Sequence, residues 1–469
     1  MPTVLSAEGF TTVATEGLGR RSSGTAGSMA YFRGGIFVGT SCAHPVVAGD
    51  APRIVRYDVK SSTWSTVYES PLIDAHARSY VRDRQFAQYP EAALRPSRGR
   101  RGAPDEKVPR DSGYRSMCVF QGKSDRTPAL YVSTMSRDGA ILLRSPDGKS
   151  FEQVSEPGFG DPSVYSFCAL TKLNGWLFAC PAGTVTSTYL DRNSPPQPMV
   201  YVSDDPLKGK WLEAAKSGLG DPSNLAICAL HPAFDSLYAG TANADLGCQV
   251  WKTEARGEPP FEWSPLVVDG GGAFNGAFSV CAMNDFNGAL YVGVGIPGFG
   301  FDTVHAVGPD SGELWRIYPD GRWDLISGQM RFSPQGLKVP LSLLGPGLGD
   351  FYNSMVRSLA VHDGVLYLGT YQWEACRCLQ IESSNVVGGY QLWATMDGEQ
   401  WTRVLDDGNG NPTDFGVAAM LSTPHGLFVG TNNQSILLDK FRPRLTREFD
   451  FEAGFKVLRG TKAGAHHTR

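Results

Sequence analysis

Charge is scarce in this chain: only 19% of its 469 residues are Asp, Glu, Lys or Arg, and 43 basic residues nearly balance 47 acidic ones, net −4. No basic excess is available to neutralise a phosphate backbone or an anionic bilayer, which argues against nucleic acid and membrane surfaces as partners. No run of about 18 apolar residues occurs, so no membrane-crossing helix is expected. Cysteine is also sparse, nine in all and an odd number, too few for a disulfide scaffold. Met1–Glu8 lacks a basic segment leading into an apolar core, so the reading is a cytoplasmic protein with reduced thiols. No glycine-rich phosphate loop follows a strand and opens a helix, and no dinucleotide or other cofactor is expected. The 41% of hydrophobic residues still suffices for a large core.

What the chain has in excess is Gly and Pro, 55 and 31, about 18% against about 12% in average usage. They punctuate a repeat. Seven short strand-like runs end in Gly-Thr or a variant: Gly35–Thr40, Leu130–Thr134, Gly175–Cys180, Ser236–Thr241, Leu290–Val294, Leu366–Thr370 and Leu427–Thr431. Another alternating run precedes each, and several are followed by a third run and an Asp-Gly turn, as at Asp147-Gly148 and Asp397-Gly398. Asn-Gly and Asp-Gly tolerate positive φ at both central positions and are strong hairpin signals. Four strands repeated seven times predict an all-β fold: a single seven-bladed β-propeller spanning 1–469. Phe455–Thr461 lacks a following strand and Gly9–Gly17 lacks a preceding blade, so the N-terminal strand is expected to complete the last blade.

Four insertions interrupt the repeat, at 69–113, 297–311, 328–353 and 371–388, and all are expected on one face of the ring. Long loops inside compact folds commonly carry function. Residues 76–111 hold nine basic and five acidic residues, the charge of a lid or of a solvated loop. Arg115 and Arg357 break the pattern at the start of first strands. Arg357 aligns with Ser116, Ser166, Ala226, Ser279 and Gly416, and Arg115 with Tyr165, Leu225, Phe278, Val356 and Phe415. A charged fork there can hold a carboxylate, a phosphate or a developing oxyanion, or pair with a junction Asp. Tyr352, Glu374 and His44 are candidates to move a proton, and Tyr114, Tyr165, Tyr371, Trp373 and Phe415 to form an aromatic wall.

Other features read as structural. Cys118, Cys168, Cys228 and Cys281 share a place in successive first strands, which suits small buried hydrophobes better than a metal cluster. Cys376-Arg377-Cys378 has no second pair to complete a zinc site. Cys42 beside His44 is a weak nucleophile–base pair. Asp161, Asp221 and Asp350 end Gly-x-Gly-Asp turns, where Asp commonly binds its own backbone. Asp407, Asn409, Asn411 and Asp414 alternate like a calcium loop but lack the distal Glu, so no metal is expected beyond this weak alternative.

The Ser145–Phe151 and Thr395–Trp401 turns resemble the Asp-box hairpins of sialidase-type propellers, where such turns are structural. No Phe/Tyr-Arg-x-Pro motif is present to map the sialidase arginines. The blade grammar, with Tyr114-Arg115-Ser116-Met117 opening an inner strand, also resembles the propeller of the cyanobacterial alkylating enzymes that form cyclophanes. That resemblance implies an arginine paired with a tyrosine at the propeller mouth. The calcium-binding domain of those enzymes has no counterpart here, since Gly-Gly-x-Gly-x-Asp repeats are missing. The leading expectation is therefore a biosynthetic enzyme that cyclises or alkylates an apolar or aromatic small molecule at the loop-rich mouth. The alternatives are a scaffold for protein partners and a glycan-binding or glycoside-hydrolysing propeller.

Overall fold

The computed structural model describes residues 2–42, 50–74, 107–184, 199–302, 305–379, 386–436, 438 and 451–462. Its regular structure is mainly strands. First come β1 (Phe10–Ala14), β2 (Thr25–Phe32), β3 (Gly35–Ser41), β4 (Arg53–Asp58) and β5 (Thr63–Glu69), then the short pair β6 (Leu72–Asp74) and β7 (Lys107–Pro109). Next are β8 (Asp111–Phe120), β9 (Ala129–Ser136), β10 (Leu142–Ser145) and β11 (Glu152–Gln153). They are followed by β12 (Val164–Leu173), β13 (Trp176–Thr184), β14 (Tyr201–Ser203) and β15 (Leu212–Glu213). The next group is β16 (Ala226–Ala233), β17 (Ser236–Ala242), β18 (Val250–Thr253) and β19 (Ser264–Val267). After it run β20 (Ser279–Phe286), β21 (Ala289–Gly295), β22 (Glu313–Ile317) and β23 (Trp323–Ser327), with the hairpin β24 (Arg331–Ser333) and β25 (Gly336–Lys338). The chain continues through β26 (Asn353–His362), β27 (Val365–Gln372), β28 (Leu392–Thr395) and β29 (Thr402–Leu405), and ends with β30 (Asp414–Thr423), β31 (Gly426–Asn433) and β32 (Val457–Gly460).

Within each group of four, successive strands pair antiparallel, the arrangement of a propeller-type all-β protein. The last group takes its fourth strand from the N-terminus: β1 lies against β32, with Thr11 opposite Arg459. First strands pack side by side from β2 to β8, β12, β16, β20, β26 and β30, and β30 also contacts β2.

The repeat has a packing cause. Two residues before the Gly-Thr position, each second strand buries one large aromatic ring: Phe37, Tyr131, Phe178, Tyr238, Tyr291, Tyr367 or Phe428, none more than 1% exposed. Fully burying such a side chain contributes about 1.5–3 kcal/mol. The glycine exists because the next group comes too close for a side chain. A Cβ on Gly240, Gly293 or Gly369 would stand 2.4 Å from Val280, Val356 or Val417, respectively. The Asp-Gly turns are backbone clamps: Asp147 Oδ1 accepts the amides of Lys149 and Ser150, and Asp397 Oδ1 those of Glu399 and Gln400.

Within the 328–353 insertion, residues 331–344 run along the outer strand β23. Leu341 and Ser342 donate amides to Leu325 and Ile326, and Gln335 reaches back to the Gly321 carbonyl at 2.9 Å. The edge of β23 would otherwise expose unpaired backbone, and the insertion covers it. Arg331 is held by the Glu313 carboxylate at 2.7 Å, which fixes the hairpin in place. Among the described residues no helix is long and apolar enough to cross a membrane.

Candidate functional site

Every first strand carries a β-bulge at one register position. The cross-strand partners jump between Ala26 and Ser28, Tyr114 and Ser116, Phe167 and Ala169, Ile227 and Ala229, Val280 and Ala282, Val356 and Ser358, and Val417 and Ala419. The extra residues are Gly27, Arg115, Cys168, Cys228, Cys281, Arg357 and Ala418. This corrects the alignment read from sequence. Arg115 and Arg357 occupy one and the same position, and it is the position of Cys168, Cys228 and Cys281; Cys118 lies three residues further on. A bulge re-aims a side chain without leaving a sequence mark.

The bulge residues bring their chemistry together. The charge of Arg115 reaches both Cys168 and Cys228, and that of Arg357 reaches Cys281. Burial dominates over these charges and pushes the Cys168 and Cys281 thiols up to about 12, so they stay protonated at neutral pH. Both donate to backbone oxygens, Cys168 to Ile227 at 3.0 Å and Cys281 to Ser279 at 3.4 Å.

Next to Cys281, the ends of β26, β27 and β30 and the 297–302 loop build an aromatic cluster. Phe299, Tyr371, Trp373 and Phe415 are its buried members, and Phe301 and Tyr352 pack against it. Tyr352 and Trp373 meet edge to face with centroids 5.0 Å apart, and the half-exposed Phe351 touches both. The Trp373 Nε1 is buried and has no hydrogen-bond partner among the described residues. Four of the aromatic candidates, Tyr352, Tyr371, Trp373 and Phe415, therefore do converge, largely as the core of their own loops.

Glu374 stands at the rim of this cluster. Its carboxylate is held by Arg377 at 2.9 Å, and the Arg377 guanidinium lies over the Tyr352 ring. Sequence reasoning missed Arg377 as a site residue, and it missed Gln372. The Gln372 Nε2 faces Asp350 Oδ2 at 3.3 Å and Glu374 Oε2 at 3.4 Å. Two carboxylates that share one amide nitrogen lie within about 7 Å of each other, the range of paired carboxyls in glycoside hydrolysis.

Asp350 also belongs to a device that occurs twice. In the β26–β29 group, Gln391 Oε1 accepts from Asn353 and Trp393 while its Nε2 donates to Asp350. In the β16–β19 group, Gln249 does the same with Asn224, Trp251 and Asp221. The Gly-x-Gly-Asp turns are thus joints between groups, with left-handed backbone at their first and second residues.

Other candidates go elsewhere. Tyr114 is fully buried in the core between β2–β5 and β8–β11, its hydroxyl toward the Pro52 carbonyl, because its position precedes the bulge and faces inward. Tyr165 is buried with its hydroxyl 2.5 Å from Ser112 Oγ. His44 lies outside the described residues. Cys42 donates to the Asp50 carbonyl, and burial raises its thiol to about 12, which makes it a poor nucleophile.

The calcium-like stretch forms another joint. Asn409 adopts left-handed backbone inside the Asp407–Gly410 turn. Asn411 Oδ1 takes the Thr413 hydroxyl, and Asp414 is bonded by Asn433 with Lys456 at 3.6 Å. Among the described residues no group of three or more His, Cys, Asp and Glu is placed to hold a metal ion.

No protein-family model matches the chain, and no curated protein matches it. Among solved structures it is similar to the GH74 xyloglucanase of Xanthomonas campestris, with 16% identity, TM-score 0.43, and coverage of 90% of this chain and 53% of that one. A GH74 enzyme of Niastella koreensis gives 14% identity and TM-score 0.42, covering 84% and 46%. The α-L-arabinofuranosidase of Fusarium graminearum gives 11% identity and TM-score 0.36, covering 79% and 93%. The chain thus spans about half the length of the two GH74 structures.

Proposed function

We propose that the chain closes into a seven-bladed propeller and that its loop-bearing end binds and cleaves a glycan. Closure is supported by the pairing of β1 with β32 and by the contact of β30 with β2. The glycan reading rests on one observation: Asp350 and Glu374 face the same Gln372 amide beside the aromatic pair Tyr352 and Trp373. Sugar rings present C–H faces that suit aromatic surfaces, while two carboxyls at this spacing can divide acid and base or nucleophile roles across a glycosidic bond. Gln372 and Arg377 act as positioning residues that fix the two carboxyls.

The cyclisation or alkylation reading has less support. It pairs Arg115 with a tyrosine at the mouth, yet Tyr114 is sealed in the core and the Tyr165 hydroxyl is engaged with Ser112. The scaffold reading has one observation in its favour. Residues 330–351 display Phe332 at 80% exposure on a hairpin anchored by Arg331 and Leu343 at 89% in the segment that follows it.

The test is hydrolysis of a panel of polysaccharides and aryl glycosides by the wild type, Glu374→Gln and Asp350→Asn. A variant lacking the general acid keeps activity on substrates with a good leaving group, whereas one lacking the base or nucleophile loses activity on all of them. Absence of any glycan binding or turnover by the wild type, together with capture of a protein partner lost in Phe332→Asp, would replace this reading with the scaffold.

A further inference from the structure

We infer that two copies of this chain meet through the apolar strip at 330–343, each laying its strip against the other's. The inference is separate from the glycan reading, and it assigns to self-association the surface that a scaffold would use.

Sequence and structure together give this stretch its sidedness. From Gln329 to Gly349 the only charged residues are Arg331 and Lys338. In the hairpin these two stand opposite each other, as do Phe332 and Leu337. Directly opposed residues share a face and adjacent residues take opposite faces, so the hairpin has one charged face and one apolar face. The charged face is turned inward. Arg331 is bound to Glu313 and lies over the Trp323 ring. The Lys338 ammonium sits 4.5 Å from the centroid of the same ring and donates to the Trp323 carbonyl. Phe332 and Leu337 are left facing solvent. Covering the edge of β23 alone calls for the reverse arrangement.

The pattern runs on beyond the hairpin. Leu337, Val339, Leu341 and Leu343 are exposed, whereas the alternate residues Lys338, Pro340, Ser342 and Leu344 are half-buried. Exposure at every second residue marks an extended segment with one face outward, and that face is aliphatic. Ser342 is tied inward, its hydroxyl donating to the Ile326 carbonyl at 2.5 Å. Leu343 holds left-handed backbone, φ 62°, which an L residue adopts at a cost. It is also the most exposed large hydrophobic side chain among the described residues.

Size and charge identify the occupant. With Met330, the six apolar residues of the strip are between 42% and 89% exposed. At about 150–200 Å² for a fully exposed residue of this size, the strip presents on the order of 600 Å². The largest apolar patch on a monomer is about 300–600 Å², and a stable interface buries about 800 Å² on each partner. A narrow rim closes that difference. A twofold interface sets a patch against itself, so any net charge on it repels its own copy. The outward face of the strip carries none, because both cations of the stretch are engaged inward. The same neutrality offers no cations to an anionic bilayer and no charge to steer an unlike protein.

The experiment is sedimentation velocity of the full chain from about 1 to about 100 μM. It compares the wild type with Phe332→Asp, Leu343→Asp and a control in another group, Met396→Asp, where the side chain is also exposed. The expected result is a monomer–dimer equilibrium of the wild type within that range. An aspartate in the strip meets its own copy across the twofold, so each strip variant should raise the dissociation constant about tenfold or more. Met396→Asp should leave it unchanged. Thermal unfolding checks that each variant folds, and Phe332→Ser and Leu343→Ser replace any aspartate variant that does not, with the same direction of effect. A wild type that stays monomeric throughout overturns the proposal. A dimer that persists equally in the strip variants overturns it as well. So does a monomer that binds phosphatidylcholine vesicles and loses that binding in the strip variants.

Discussion

The joint at Asp221 and the joint at Asp350 are two copies of one device, and only one of them is complete. At Asp221, the residue two positions on is Ser223, whose amide and hydroxyl both bind Asp221 Oδ1. Asn243 then donates to Ser223 Oγ and Asn224 Oδ1, and every polar group of that cluster is satisfied. At Asp350 the corresponding residue is Tyr352, which offers only its amide and turns its ring toward Trp373. Gln372 stands in place of Asn243 and reaches Asp350 and Glu374 instead, and the Asn353 Oδ1 is left without a partner among the described residues. A joint that only had to hold two groups together would have no reason to leave a buried acceptor open and to gather a second carboxylate. Divergence from the satisfied copy is what singles out the other as the candidate site.

The largest expected effect separates the copies by activity. Glu374→Gln should lower glycan turnover by about 10²-fold or more, the usual weight of a general acid or base, with little change in Tm. Asp245→Asn, at the equivalent place in the satisfied copy, is exposed and should change neither. Tyr352→Ser, which restores the Asp221 arrangement, should keep the fold and lose substrate affinity, measured as a rise in KM. Stability should treat the copies alike. Gln249→Ala and Gln391→Ala each strand a buried Asn and a Trp N–H, and each should cost about 2 kcal/mol in denaturant unfolding. A clear inequality between them would show that the open copy has already given up part of its holding role.

Much of this was legible in the sequence. The strand grammar follows from local causes, the buried aromatic and the glycine two residues on, and those recur in one-dimensional order. The convergence of Tyr352, Tyr371 and Trp373 could be read because the ends of β26 and β27 are also the ends of sequence repeats. The identity of the Arg115 and Arg357 positions could not. A bulge is defined by the partner strand, and counting from strand starts of unequal length shifts the alignment by one residue, enough to reverse the face. Tyr114 was misjudged for the same reason. The Asp350–Gln372–Glu374 contact is a matter of side-chain reach, one methylene longer than in the Asn243 copy, and no spacing rule reports it.

A third joint, at Asp414, extends the comparison to pH. Burial pushes this carboxyl up to about 7 despite Lys456 and Asn433 beside it. A raised folded-state value means that the stabilising contribution is complete below about pH 4 and is lost as pH rises through 7. Asp414→Asn should therefore flatten the stability profile between those limits, as measured by Tm across pH. The joint at Asp221, on the surface side of its cluster and lowered rather than raised, should contribute in the opposite sense.

The smallest effect belongs to the Asp-Gly turns. Asp147 accepts two backbone amides and the Ser150 hydroxyl, and those bonds lower its carboxyl to about 2. A depressed value contributes stability above about pH 4 that is lost as pH falls through 2. The side chain is exposed, so solvent screens most of this, and Asp147→Asn keeps an acceptor oxygen in the same place. Its cost at neutral pH should stay below about 1 kcal/mol, in line with loss of a turn clamp. A markedly larger loss would mean that the turn anchors more than its own hairpin. Gly148 gives that outcome a structural route, because its Cα sits so close to Phe37 of the first group that an added Cβ would meet the ring at 2.6 Å.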